Sequence, residues 1–194
     1  MRPWLVLPVK PVQQGKSRLA PHVGAVARRA LNLALFVRTL GVAARVPGPD
    51  RTLVISRCPE VLRLAHAQGT ATLAEAEPGL NEAVSQAVAA LPQARGEPIV
   101  IVACDLPLVS QEDLKLLVKP GELVLATDRA GSGTNALCLP AGVPFRFHYG
   151  VGSRLRHVAE AALHGLPCRV LQRPSLAFDL DNFDDYCEWQ RIDF

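Results

Sequence analysis

No stretch of this 194-residue chain reads as a membrane span: Ala30 to Val37 is apolar apart from Asn32 and far too short to cross a bilayer. The N-terminal MRPWLVLPVKP lacks the length and cleavage region of a signal peptide and reads better as a first strand. The five cysteines (Cys58, Cys104, Cys138, Cys168, Cys187) form no CxxC pair and no histidine-interleaved zinc spacing. Buried free thiols in a reducing, cytoplasmic compartment are therefore expected. The net charge is only +3 and the basic residues are scattered, which excludes nucleic acid as the main partner while leaving small anions open. There is no internal repeat and no low-complexity tract.

What is present suits one globular domain over residues 1–194, with 49% hydrophobic and 20% charged residues. Runs rich in β-branched residues predict strands at Trp4–Val9, Thr52–Ser56, Ile99–Ala103, Leu123–Thr127 and Arg169–Leu171. Helical patterns lie between them: Val26–Arg45, Pro59–Gln68, Asn81–Leu91, Glu112–Val118 and Ser153–His164. In the last of these Leu155, Val158, Ala159, Ala162 and Leu163 share one face, and Gly165 stops the helix. The alternation predicts an α/β fold, a mostly parallel twisted sheet flanked by helices. Ligands of such sheets bind beyond the carboxyl ends of the strands, in loops such as Lys10–Leu19, Cys104–Pro107 and Asp128–Gly133.

Chemistry-bearing residues fall in those loops. Gly131-Ser132-Gly133-Thr134 and Gly150-Val151-Gly152-Ser153 are small-residue clusters with hydroxyls, and the second directly precedes a helix. Bare amides at a helix N-terminus beside a hydroxyl would seat a phosphate or carboxylate. Gly15-Lys16-Ser17 imitates the end of a Walker A loop, but Lys10 stands where that motif needs glycine, so the motif is absent. Three cations remain there, Lys10, Lys16 and Arg18, either solvated or gathered for a triphosphate. A strand ending at Asp105-Leu106-Pro107 offers a carboxylate suited to magnesium, or an aspartate capping a turn. Asp179 and Asp181 would share a face of an extended segment and need a cation, whereas Asn182, Asp184 and Asp185 suit the cap of a last helix. Asn81 is an N-cap candidate, with nucleotide contact as the alternative. No serine or cysteine pairs with any of the five histidines in a nucleophile motif.

Together LPVKPVQQGKSRLA at 7–20, PGLNEAV at 78–84, ACDLPL at 103–108, ATDRAGSGTNAL at 126–137, FHYGVGS at 147–153 and SLAFDLDNFDD at 175–185 resemble the CofC/FbiD guanylyltransferases of coenzyme F420 biosynthesis. The resemblance implies a MobA-like, Rossmann-like nucleotidyltransferase architecture. It also implies transfer of GMP from GTP to 2-phospho-L-lactate, phosphoenolpyruvate or 3-phospho-D-glycerate, with release of pyrophosphate. It assigns the nucleotide to Pro8, Lys10, Lys16, Arg18, Gly79 and Asn81, with Lys16, Arg18 and Asp105 catalytic. The acceptor falls to Thr134, Gly150 and Ser153, and Mg2+ to Asp105, Asp179 and Asp181. A homodimer and hand-off of the product to the next pathway transferase are implied on the same ground. The alternatives are a molybdopterin-type guanylyltransferase, whose glycine-rich LAGG-type opening is missing here, and a non-catalytic module binding a nucleotide or phospho-acid.

Overall fold

A computed structural model describes residues 2–92 and 96–192. Seven strands form one sheet: β1 Trp4–Val9, β2 Thr52–Ser56, β3 Ala71–Ala74, β4 Ile99–Val102, β5 Leu123–Ala126, β6 Ala136–Leu139 and β7 Cys168–Leu171. Their spatial order is β3-β2-β1-β4-β6-β5-β7. All neighbours are parallel except β6, which runs antiparallel to both β4 and β5. The helices are α1 Ala25–Ala44, α2 Pro59–Ala67, α3 Leu80–Ala90, α4 Gln111–Leu117, α5 Ser153–Leu163, α6 Pro174–Ala177 and α7 Phe183–Arg191. None is long and apolar enough to cross a membrane among the described residues.

Period-two alternation divides the core between the two faces of the sheet. Leu5, Leu7 and Val9 of β1 join Val100 and Val102 of β4 on one face, where Phe36 and Leu40 of α1, Val61 of α2 and Leu114 of α4 cover them. Val6, Ile99 and Ile101 point to the other, against Ala83, Val84 and Ala87 of α3 and Ala161 of α5. Helices on both faces suit parallel strands, which must be buried on both sides. Pro8 is tolerated in central β1 because the β1–β4 ladder spans only Trp4 to Val6, so its missing N–H costs no bond to that neighbour.

Two strands were not read from the sequence. β3 (Ala-Thr-Leu-Ala) is a four-residue, largely exposed edge strand without alternation. β6 (Ala-Leu-Cys-Leu) is buried throughout, so it too lacks a period. The apolar face expected of α5 also departs from the observed one. Its buried residues are Ser153, His157 and Ala161, while Leu155 and Leu163 are 65% and 80% exposed. Polar side chains win the inner face because Thr134 and the 145–149 segment supply their partners.

Candidate active site

At the carboxyl ends of β1, β2 and β4 lies a cleft of about 620 Å³. The strand order reverses at β1, from which connections run out to both sides, and this places the cleft where open α/β sheets bind ligands. Pro8 of β1 and Lys10, Lys16 and Arg18 of the first loop line it, as do Gly79, Asp105, Thr134 and Asp181. Residues separated by up to 173 positions thus meet in one place, as expected from the loops that follow strands.

Lys16 is the centre of its charge pattern. Its side chain is only 6% exposed, and its Nζ lies 2.9 Å from Asp105 Oδ2 and 3.6 Å from Asp181 Oδ1. Arg18, largely exposed, reaches Asp181 Oδ2 at 3.3 Å. A backbone bond from Leu180 N–H to Asp105 O ties the two carboxylate segments together. Asp179, unlike Asp105 and Asp181, does not line the cleft. Burial pushes its carboxyl up from the usual carboxylate range, helped by Asp105 and, more weakly, Asp181. Among the described residues no three carboxylate, histidine or thiol groups stand ready as a metal cage. The three aspartates converge electrostatically, but with an ammonium between two of them. Asp185 is structural, forming a capping box with Asn182 at the start of α7. The neighbouring Cys104 thiol is pushed up by burial and by Asp105, which makes it a poor nucleophile.

Of the two small-residue clusters only Thr134 reaches the cleft; Gly150 and Ser153 are not part of its lining. Asp128 Oδ1 accepts from Ser132 N–H at 2.7 Å and holds the 131–134 turn. Thr134 lies on the cleft wall; Ser153, 2% exposed, stands behind it and donates to Thr134 Oγ1 at 3.2 Å. Gly152 N-caps α5 with φ 69°, a left-handed conformation that suits glycine. The expectation of bare amides is not met at the first two α5 positions. Ser153 N–H donates to Gly150 O and Arg154 N–H to Ser132 O, so the wall presents a hydroxyl in their place.

Asn81 does not cap α3; Gly79, with φ 145°, holds that position. The Asn81 side chain instead clamps the backbone of Tyr149, donating to its carbonyl at 3.2 Å and accepting from its N–H at 2.6 Å. It joins α3 to the loop bearing Gly150 and is not itself part of the cleft lining. Two residues escaped the sequence reading. Glu75, just after β3, lines the cleft and accepts from Arg57 Nε at 3.1 Å and Gly79 N–H at 3.2 Å. The unread strand β3 concealed it. His157 lies buried four residues after Ser153, a spacing that already put both on one helix face.

Residues 4–190 match the family model described as "Guanylyl transferase CofC like". A phosphoenolpyruvate guanylyltransferase of Chloroflexus aggregans is 36% identical, over 96% of this chain and 98% of its own. A 3-phospho-D-glycerate guanylyltransferase of Phenylobacterium zucineum is 34% identical, over 96% and 88%. Among solved structures, the 4-diphosphocytidyl-2C-methyl-D-erythritol synthase of Anaerococcus prevotii superposes with a TM-score of 0.62, covering 97% of both chains. At 10% identity that likeness concerns the fold alone.

Proposed function

The chain belongs to the CofC-like guanylyl transferase family, and from that premise we propose that it transfers GMP from GTP to a phosphorylated three-carbon acid, releasing pyrophosphate, as a step of coenzyme F420 biosynthesis. The observation that carries the proposal is the buried Lys16 ammonium held by Asp105 and Asp181, in one cleft with the Thr134 hydroxyl. Phosphoenolpyruvate is the first acceptor to test, with 3-phospho-D-glycerate and 2-phospho-L-lactate beside it.

The reaction asks for little proton chemistry, since an acceptor phosphate is already anionic at neutral pH. Its barrier is the approach of one anion to another and in-line placement at the α-phosphorus, so catalysis falls to positioning and positive charge. Lys10, Lys16 and Arg18 would draw the triphosphate along the first loop, Lys16 and Arg18 stabilising charge on the departing pyrophosphate. Pro8 and Gly79 would flank the nucleoside, and Asn81 would hold the loop that carries Gly150. Thr134, backed by Ser153, would receive the acceptor's anionic group.

The acidic residues fit a divalent metal: all are hard oxygen donors, and their mutual repulsion already recruits an ammonium. Asp105 and Asp181 would hold Mg2+, with Asp179, coupled to both, adding negative charge. Bound with the nucleotide, the ion would supply neutralisation of phosphate charge.

The test is incubation of purified protein with GTP, Mg2+ and each of the three acids, following pyrophosphate and identifying the conjugate by mass spectrometry. Acceptor-dependent pyrophosphate with a guanylylated acid is expected. GTP binding without any conjugate would leave a binding module and end the proposal.

A further inference from the structure

Behind the proposed acceptor wall runs a buried polar chain that the reaction outlined above does not use. His157 is fully buried on α5, one turn beyond Ser153. Its Nε2 accepts the backbone N–H of His148 at 2.9 Å. An accepting ring nitrogen carries no proton, so the neutral imidazole carries its proton on Nδ1. Burial holds the ring neutral at pH 7, lowering its pKa to about 4. The nearby His148 and Arg156 add to that effect against the opposing Glu160.

Nδ1 lies 3.1 Å from Thr134 Oγ1, and as the protonated nitrogen it donates. Ser153 Oγ donates to the same oxygen at 3.2 Å. A threonine hydroxyl has two lone pairs and one proton. With both lone pairs filled from behind, its proton has no partner among the described residues and is free to face the cleft that Thr134 lines.

We infer that His157 is a positioning residue that compels the Thr134 hydroxyl to act as a donor into the cleft. The wall then offers hydrogen to an incoming anion and never a lone pair. Carboxylate and phosphate oxygens are acceptors, so the arrangement selects them. The opposite tautomer would face Nε2–H against the His148 N–H and leave Thr134 free to turn. Phe145 and Tyr149 enclose the ring, with centroids 5.8 and 5.0 Å away, and keep it from flipping.

The inference rests on the reading of Thr134 as an acceptor contact, and the experiment separates the two. Asparagine carries its amide at the position of Nδ1, counted in bonds from Cα, whereas glutamine reaches that of Nε2. His157→Asn therefore keeps the donor to Thr134, and His157→Gln keeps only the acceptor for His148. The phosphoenolpyruvate KM is expected to rise on the order of tenfold or more in His157→Gln and only about threefold in His157→Asn. The KM for GTP should stay within about twofold in both. Equal losses in the two variants would reduce His157 to packing and overturn the inference. Thr134→Val with an unchanged phosphoenolpyruvate KM would overturn the acceptor reading itself. Should neither histidine variant fold, imidazole 15N shifts of the wild-type protein decide the matter. A ring protonated on Nδ1 alone at pH 7 supports the inference, and one protonated on Nε2 or on both nitrogens defeats it.

Discussion

Lys16 stands out at the scale of single residues. Among the described residues it alone, glycines aside, has a positive φ (58°), a conformation costing roughly 1 kcal/mol for a side-chain-bearing residue. That strain is offset by an ammonium buried between Asp105 and Asp181. Lys16→Met is expected to lower turnover by about 100-fold or more. It should also lower the melting temperature of the nucleotide-free protein, because the carboxylates lose their counter-ion. Added Mn2+ should recover much of that loss, and a melting point indifferent to both changes would discredit the counter-ion role. Asp105→Asn keeps shape but removes charge: turnover should fall by orders of magnitude while circular dichroism stays native. His157 adds a pH dependence. Its folded pKa of about 4 lies below the unfolded value of about 6.5, so the unfolded chain binds more protons between those limits. Its contribution, at most roughly 3 kcal/mol, is complete above about pH 6.5 and lost as pH falls toward 4. Melting temperatures between pH 7 and 4.5 should show the slope, and His157→Asn should flatten it.

Elements differ in how openly the sequence announces them. β1, β2 and β4 are built around consecutive Val, Leu and Ile residues, and their buried central positions leave them no alternative to strand. α7 is legible through Asn182 and Asp185, whose capping box the structure contains. β3 has neither alternation nor a buried face, and only pairing with β2 makes it a strand. With β3 hidden, Glu75 could not be placed, although the loops after β1 and β4 could. Its position now has a consequence. β3 lies three strand spacings from β4, roughly 14 Å, so phosphates held near Asp105 would put the base toward Glu75. Guanine presents two N–H donors on its pairing edge where adenine presents an acceptor, and a carboxylate serves only the former. Glu75→Gln should lower the GTP-over-ATP ratio of kcat/KM by about tenfold or more. An unchanged ratio would move guanine recognition elsewhere.

Over the whole molecule, the site depends on closure between the two ends of the chain. The loop that bears Lys16 and Arg18 is followed by Leu19, which packs with Leu31 and Leu35 of α1 and with Leu180 beside Asp181. Phe183, Tyr186 and Trp189 of α7 cover this cluster, and Phe183 stacks on His22 at 4.2 Å. Arg129 pairs in bidentate fashion with Glu188, linking α7 to the 128–133 loop as well. This closure was not legible before folding, because the tail after Asp185 carries no motif and the apolar residues of α7 find partners more than 140 positions away. The arrangement makes α7 a brace for the loop that bears Lys16 and Arg18 and not a surface appendage. Ending the chain after Asn182 removes the aromatic cover while leaving every cleft residue in place. Such a protein should keep its sheet, since neither main core cluster includes α7. Hydrogen exchange should accelerate at residues 13–23 and remain slow in β1 and β4. The KM for GTP should rise more than that for phosphoenolpyruvate, because the Thr134 wall is built from other elements. If exchange in 13–23 is unaltered by the truncation, α7 braces nothing and the loop holds its shape through Lys16 and the α1 contacts alone.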